Sequence, residues 1–138
     1  MNYWNPYDLW ERRHVSNEED IMEMVRLFTA DKPIVGGGDT ETNGLHIKKA
    51  KPFLIIFGWF IPGENYGRVF TFEPDDIYMK MFFRCAEKLK AFVWWNTKYD
   101  LHMMANIGWE YTHDNLVEGI ALARVVVDAV PARNGGDP

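Results

Sequence analysis

The sequence predicts an α/β protein built on a mixed β-sheet with helices packed against it. An uninterrupted apolar run at 53–60 is typical of a core strand. Apolar residues recur at helical spacing around 17–30 and 77–89. The predicted strands are joined first by short turns, which favour antiparallel pairing, and later by helices, which favour parallel pairing. The expected sheet therefore has three antiparallel strands followed by parallel ones, with flanking helices.

Length, charge and cysteine content limit the possible functions. The chain has 138 residues, enough for a sizeable core, and we divide it into an arm and helix at 1–31 and a main domain at 32–138. Its net charge of −5 excludes a basic coat protein, but not an enzyme that neutralises phosphates with metal ions. A single cysteine, Cys85, fits a reducing compartment. Because no signal-like start or membrane-length apolar run is present, we predict a cytoplasmic protein with no membrane partner.

The N-terminal part predicts an arm and one helix. Residues 1–15 mix aromatic and charged side chains without a period, which is typical of an extended arm. Ser16 followed by Glu19 is a capping-box pattern, so we expect a helix over roughly 17–30. Three apolar residues should form its inner face: Ile21, Val25 and Phe28.

Three strands should follow this helix. The first begins near Ile34, and its glycines predict the close approach of another backbone or of a ligand. The second covers 53–60 and, because it holds no charged residue, is predicted to be buried on both faces. The third covers 69–72, after a turn at 62–65.

The C-terminal half predicts three helices and one more strand. Pro74, Asp75 and Asp76 are typical of a helix first turn. Four residues at a spacing of four should face the sheet: Ile77, Met81, Cys85 and Leu89. A strand is predicted at 92–95, then a helix over 96–106 with three residues facing inward: Leu101, Met104 and Ala105. Four apolar residues predict a last helix: Leu116, Ile120, Ala123 and Val127.

Two acidic residues stand at the end of the first predicted strand. Asp39 and Glu41 are separated by one residue, so the strand period of two places both on one face. Carboxylates held that close raise each other's pKa unless a cation lies between them, which indicates a hard divalent ion. A solvated strand-to-turn corner is the alternative, because Asp, Thr, Asn and Gly all favour turns.

A second acidic residue pattern follows the fourth strand. Thr97 with Asp100 three residues later is a capping-box pattern, in which Asp100 only caps a helix. Alternatively, a carboxylate in the first turn of this helix can reach the end of the first strand, where Asp39 and Glu41 lie. The residues alone leave both interpretations open.

The two segments together resemble a known family. Residues 39–45, Asp-Thr-Glu-Thr-Asn-Gly-Leu, resemble the first motif of the 3′–5′ proofreading exonuclease domain of family A DNA polymerases, the polymerase I type with its phage relatives, within the DEDD superfamily. Residues 96–100, Asn-Thr-Lys-Tyr-Asp, resemble the second motif. The resemblance spans roughly 33–130. It implies a ribonuclease-H-like fold, removal of nucleotides from single-stranded DNA 3′ ends and a polymerase domain in the parent protein.

The resemblance also implies roles for individual residues. Two divalent ions, Mg²⁺ or Mn²⁺, about 4 Å apart would clamp the attacking and leaving oxygens. Asp39 and Glu41 would hold the ion that activates water, and Asp100 would support the ion at the leaving 3′ oxygen. Asn96 would hold the terminal phosphate, Leu45 would pack on the terminal base, and Tyr99 would support its helix. The residues implied at the substrate are Thr40, Thr42, Leu45, Asn96, Lys98 and Tyr99.

The chain departs from this family in one respect. The family's third motif is Tyr-x-x-x-Asp, or His followed five residues later by Asp. Here Tyr111 is followed four residues later by Asn115, and His113 five residues later by Glu118. We therefore expect a domain truncated before its last motif, with little activity alone.

Two other functions fit the same motifs. A non-catalytic module of this fold would bind single-stranded nucleic acid or a partner protein through exposed aromatics and the lysines at 48–51. A ribonuclease that trims RNA 3′ ends shares every motif. Only the similarity of the residues at 96–100 to the polymerase motif favours DNA.

Overall fold

A computed structural model describes residues 10–44 and 49–119 of the chain. The strands are β1 (Glu11–His14), β2 (Val35–Thr42), β3 (Pro52–Phe60), β4 (Gly67–Phe72), β5 (Ala91–Trp94) and β6 (Leu116–Glu118). The helices are α1 (Glu18–Asp31), α2 (Asp76–Ala86) and α3 (Thr97–Ala105). The six strands form one sheet in the order β1-β4-β3-β2-β5-β6.

The strand directions confirm the predicted mixed sheet. β3 is antiparallel to both β2 and β4, whereas β5 lies parallel to β2 and β6 lies parallel to β5. Residues 11–14, expected only as part of an extended arm, form an edge strand parallel to β4. Three of the four side chains of β1 are exposed, so this strand carries no apolar alternation by which it could be predicted.

The core fills one face of the sheet. Phe57 on β3 lies beneath both long helices, with its ring centroid 6.1 Å from that of Phe28 on α1 and 4.9 Å from that of Phe82 on α2. The prediction that β3 is buried on both faces is wrong for the described residues. Its buried face is Ile55, Phe57 and Trp59, whereas Leu54, Ile56 and Gly58 are half-buried. The reason is that α1 and α2 pack on the same side of the sheet.

The opposite face carries a shallow apolar depression of about 480 Å³. Its lining includes Val35, Ile56, Phe60, Val69 and Val93. One end of the depression reaches Asp39, so the acidic end of β2 borders an apolar surface. Within the described residues, no helix is long and apolar enough to cross a membrane.

α1 and α2, like α3, begin at residues whose side chains accept backbone hydrogen bonds. α1 is capped by Asn17, not by Ser16: the Asn17 side chain accepts from the Asp20 N–H at 2.9 Å. The Asp20 carboxylate accepts from the N–H of Ser16, the residue before the cap, at 2.9 Å, so the cap lies one residue later than predicted and this bond takes the place of the reciprocal bond of a capping box. The predicted acidic first turn of α2 is confirmed, with Asp75 as its cap.

The inner faces of the helices differ in part from the prediction. Ile21 and Phe28 are buried on α1 as expected, but Ile77 on α2 is 43% exposed and Ala105 on α3 is exposed. The buried residues of α2 are Met79, Phe82, Phe83, Cys85 and Ala86. This stripe is rotated from the predicted one because the large aromatic rings fill the space over the sheet.

The predicted last helix is replaced at its start by a strand. Leu116 lies on β6, paired with Phe92 of β5. The preceding residue, Asn115, fixes this strand, because its side-chain Nδ2 donates to the carbonyls of Ala86 and Leu89 at 2.8 Å each. The remaining residues of that prediction, at 120, 123 and 127, lie outside the described residues.

The glycines of β2 allow close packing, but the group next to Gly38 is the Trp94 side chain and not the backbone or ligand that was expected. A methyl group on Gly38 would lie 2.7–2.9 Å from three ring atoms of Trp94, whereas one on Gly37 would meet only the Val93 carbonyl, at 3.3 Å. We expect Gly38→Ala to lower the free energy of unfolding by about 2 kcal/mol because the buried Trp94 ring must shift. Gly37→Ala, the matched control, should change it by less than about 0.5 kcal/mol. Equal losses for the two variants in urea unfolding would contradict this packing account.

Candidate active site

The acidic end of β2 lies between two neighbouring strands. Asp39 pairs with Ile56 and Glu41 pairs with Leu54 on β3. Because they occupy alternate positions of one strand, both carboxylates leave the sheet on the same face. Both residues are exposed. This placement agrees with the shared face expected from the sequence.

Thr40 points to the other face and connects β2 to α3. Its side chain is buried, and its Oγ1 donates to the Asp100 carboxylate at 2.9 Å. The cap of α3 is Asn96, whose side-chain oxygen accepts from the Tyr99 N–H at 3.4 Å. The capping-box interpretation is therefore wrong in its cap, which is Asn96 and not Thr97, although Asp100 does accept a hydrogen bond from the Asn96 backbone N–H. The alternative is correct, because Asp100 reaches the end of β2.

The environment of Asp100 makes its negative charge unfavourable. The residue is 4% exposed, and burial raises the pKa of its carboxyl to about 6 from an ordinary value of 3.8. The negative charge of Asp39 raises this pKa further, whereas the hydrogen bond from Thr40 lowers it. A cation beside the two carboxylates would remove this penalty.

Tyr99 connects α3 to the segment that follows β2. Its hydroxyl lies 3.1 Å from the Thr42 Oγ1 and donates to the Gly44 carbonyl at 3.4 Å. The Thr42 hydroxyl also donates to the Gly44 carbonyl, at 3.0 Å. Tyr99 and Thr42 thus fix the position of α3 relative to the acidic strand. Of the other residues predicted at the substrate, Lys98 is exposed and Leu45 lies outside the described residues.

The carboxylates supply the type of ligand atom that a hard divalent ion prefers. Oxygen ligands are those that Mg²⁺ and Mn²⁺ prefer, and Asp39 lies close enough to Asp100 to raise its pKa. Within residues 10–44 and 49–119, however, no three acidic, histidine or cysteine side chains converge as a metal-binding group. Asp39 and Asp100 are therefore brought together, and Glu41 shares a face with Asp39 without completing a three-ligand set.

Thr40 has a structural role that the sequence motifs do not indicate. It was expected at the substrate, but its hydroxyl is the buried partner of Asp100. The strand period contains the signal: if Asp39 and Glu41 share one face, Thr40 must point to the other, where the helices pack. Asn106 was also missed. Its side-chain Nδ2 donates to the Ala50 carbonyl at 2.7 Å and holds the far end of α3.

No protein-family model and no curated protein matches the chain by sequence. Several solved structures resemble it. The EXO domain of Nibbler from Aedes aegypti has a TM-score of 0.64 and 9% identity, over 89% of this chain and 60% of that one. The catalytic core of RRP6 from Trypanosoma brucei has a TM-score of 0.59 and 11% identity, over 80% and 29%. Escherichia coli RNase D, an exoribonuclease involved in structured RNA processing, has a TM-score of 0.57 and 16% identity, over 89% and 28%.

These likenesses show the fold. The chain has a ribonuclease-H-like fold, as predicted. It spans less than two thirds of the length of each of the three chains.

Proposed function

We propose that this chain is a metal-dependent 3′–5′ exonuclease domain that removes nucleotides from single-stranded DNA ends, of the proofreading type associated with a polymerase. One observation carries the proposal. Asp100, on a helix, is buried beside Thr40 and close to Asp39 at the end of a central strand. A buried carboxylate with a second carboxylate nearby is unfavourable unless a cation is bound, and two-metal hydrolysis needs converging acids.

Each residue of the site would have a separate role. Asp39, Glu41 and Asp100 would hold the ions. When bound, the ions would activate the attacking water and stabilise the leaving 3′ oxygen. Thr40 fixes the Asp100 carboxylate through its 2.9 Å hydrogen bond. Asn96 begins α3 beside these acids and would orient the terminal phosphate.

Separate observations support DNA and RNA as the substrate. The residues at 96–100, Asn-Thr-Lys-Tyr-Asp, resemble the polymerase motif and support DNA as the substrate. RNA 3′-end trimming is the second candidate, and a specific observation favours it: the similar structures include E. coli RNase D and T. brucei RNase D in complex with RNA U12. A polymerase domain as partner belongs to the DNA proposal alone, whereas a cytoplasmic location is compatible with either polymer.

A time course on 5′-labelled strands tests the proposal. DNA and RNA oligonucleotides of the same base sequence are incubated with the protein and Mn²⁺, with and without chelator. We expect slow shortening from the 3′ end that stops in chelator and is faster on DNA. Because the chain lacks the third motif, we expect shortening only at high protein concentration. Shortening of RNA alone would replace proofreading by RNA trimming.

A non-catalytic binding module is a further candidate. It is favoured by the absence of a three-ligand metal group within the described part of the chain. Strand binding that persists in chelator and survives Asp39→Ala, without any strand shortening in Mn²⁺, would establish this module and contradict the exonuclease.

A further inference from the structure

Two exposed aromatic side chains flank the strand that carries the acids. Trp95, directly after β5, is 61% exposed, and Phe53, on β3, is 54% exposed. In the sheet, β2 lies between β3 and β5, so one aromatic residue lies on each side of the strand that holds Asp39 and Glu41. Single exposed apolar residues are common and carry no meaning alone. Two of them at the same end of the sheet, on the two strands that flank β2 and its candidate site, are a distinct feature.

The register places Trp95 beside Asp39. Gly38 pairs with Trp94 on the parallel strand β5, so Trp95 is one residue beyond that pair and level with Asp39. Adjacent strands are about 4.8 Å apart. A methyl group on Gly119 would lie 3.0 Å from the Trp95 Cε3 and 3.1 Å from its Cα, so Trp95 packs closely against the Gly119 backbone. The indole is thus supported from one side while most of it stays accessible.

Phe53 is exposed because of an irregularity in β3. Glu41 pairs with Leu54, but Thr42 pairs with Pro52, so Phe53 is the additional residue between two pairs. An additional residue of this kind redirects its side chain and is frequent next to functional sites. The following residues of the same parity, Ile55 and Phe57, are fully buried. The change of register therefore turns the Phe53 ring out of the core face, next to Asp39 and Glu41.

We propose that Trp95 and Phe53 are stacking surfaces for the bases of a single strand whose 3′ end lies at Asp39 and Asp100. This inference rests on the proposed function and adds the part of the substrate that the protein holds. Stacking on aromatic rings is tolerant of base sequence, because every base has a π-face. With a net charge of −5, this chain has little general attraction for phosphates, so stacking is the contact through which it can retain a strand.

Binding of two oligonucleotides measures the stacking. One has normal bases throughout, the other has abasic sites at its last 3′ nucleotides, and chelator prevents cleavage. We expect the wild type to prefer the normal strand. Trp95→Ala and Phe53→Ala should each weaken binding of the normal strand about ten-fold and leave binding of the abasic strand unchanged. DNA and RNA versions of both strands show whether the surfaces serve either polymer.

Two further variants separate stacking from general damage. Phe60→Ala removes an aromatic side chain that is 51% exposed at the opposite end of β3, and it should leave both affinities unchanged. Gly119→Ala presses on the Trp95 ring and on the backbone of residues 94 and 95, so it shifts the indole without removing it and should reproduce part of the Trp95→Ala loss on the normal strand only. Circular dichroism of each variant confirms that the fold is retained.

The outcomes distinguish this inference from the proposed function. Unchanged affinity in Trp95→Ala and Phe53→Ala, or an equal loss on normal and abasic strands, would overturn the stacking surfaces and leave the exonuclease proposal standing. A wild-type protein that binds neither strand and shortens none in Mn²⁺ would overturn both.

Discussion

Replacing Asp100 with asparagine is expected to stabilise the metal-free protein at about pH 8 by up to about 3 kcal/mol. The pKa of the Asp100 carboxyl is raised to about 6 from 3.8, chiefly by burial. This difference in pKa corresponds to about 3 kcal/mol by which the ionised carboxylate destabilises the folded protein. Asparagine has the same shape and no charge, and its side-chain oxygen still accepts the hydrogen bond from Thr40. The same substitution should remove metal binding.

The pH dependence gives this prediction its sign. Between about pH 4 and pH 6, the folded protein retains a proton on Asp100 that the unfolded chain has released. Stability therefore falls as pH rises through this window, and the full penalty is present above it. Below the window the carboxyl is protonated in both states and the penalty disappears.

Urea unfolding of wild type and Asp100→Asn at about pH 8 and at about pH 4, in chelator, measures the effect. The variant should be the more stable protein at the higher pH, and the difference should shrink towards zero at the lower one. Thr40→Val is a second variant that tests the same hydrogen bond. It removes the hydroxyl that stabilises the carboxylate, so at about pH 8 it should lower the stability of the wild type more than that of the Asp100→Asn variant. A less stable Asp100→Asn at both pH values would contradict the account of this site.

Replacing Asp39 with asparagine is expected to reduce strand shortening in Mn²⁺ to the level seen in chelator. The variant keeps the size of the side chain and its position on β2, but it removes one of the two carboxylates brought together here. Glu110→Gln is the matched control, because Glu110 is an exposed acid on the segment after α3. It changes the net charge by the same amount and should leave the rate unchanged.

The same variant should also act on Asp100. Because the charge of Asp39 contributes to the raised pKa of Asp100, Asp39→Asn should lower this pKa. Titration of Asp100 followed by NMR measures the change. An Asp39→Asn protein that shortens strands at the wild-type rate would show that the activity does not use this site.

Much of the sheet could be predicted from the sequence because its signals are local. The apolar run of β3, the acidic first turn of α2 and the short strand before α3 each stand in one segment. Edge strands are different. β1 and β6 are held by backbone pairing with β4 and β5, and neither of the two carries enough buried alternation to be distinguished from an arm or a helix.

The candidate site divides in the same way. The shared face of Asp39 and Glu41 follows from the strand period and needs no tertiary information. The position of Asp100 could not be decided from sequence, because Asp100 three residues after Thr97 fits a capping box equally well. Only the hydrogen bond from Thr40, sixty residues away in sequence, distinguishes the two arrangements. The exposure of Phe53 likewise depends on a register change that no local pattern predicts.

The most direct test of the central claim is a titration of the protein with Mn²⁺, followed by electron paramagnetic resonance. This measurement does not depend on turnover. The account predicts that the wild type binds Mn²⁺, that Mg²⁺ competes, and that Asp39→Asn and Asp100→Asn each lose the binding while Glu110→Gln retains it. Mn²⁺ binding that is absent in the wild type, or equally strong in all four proteins, would contradict a metal site at the end of β2.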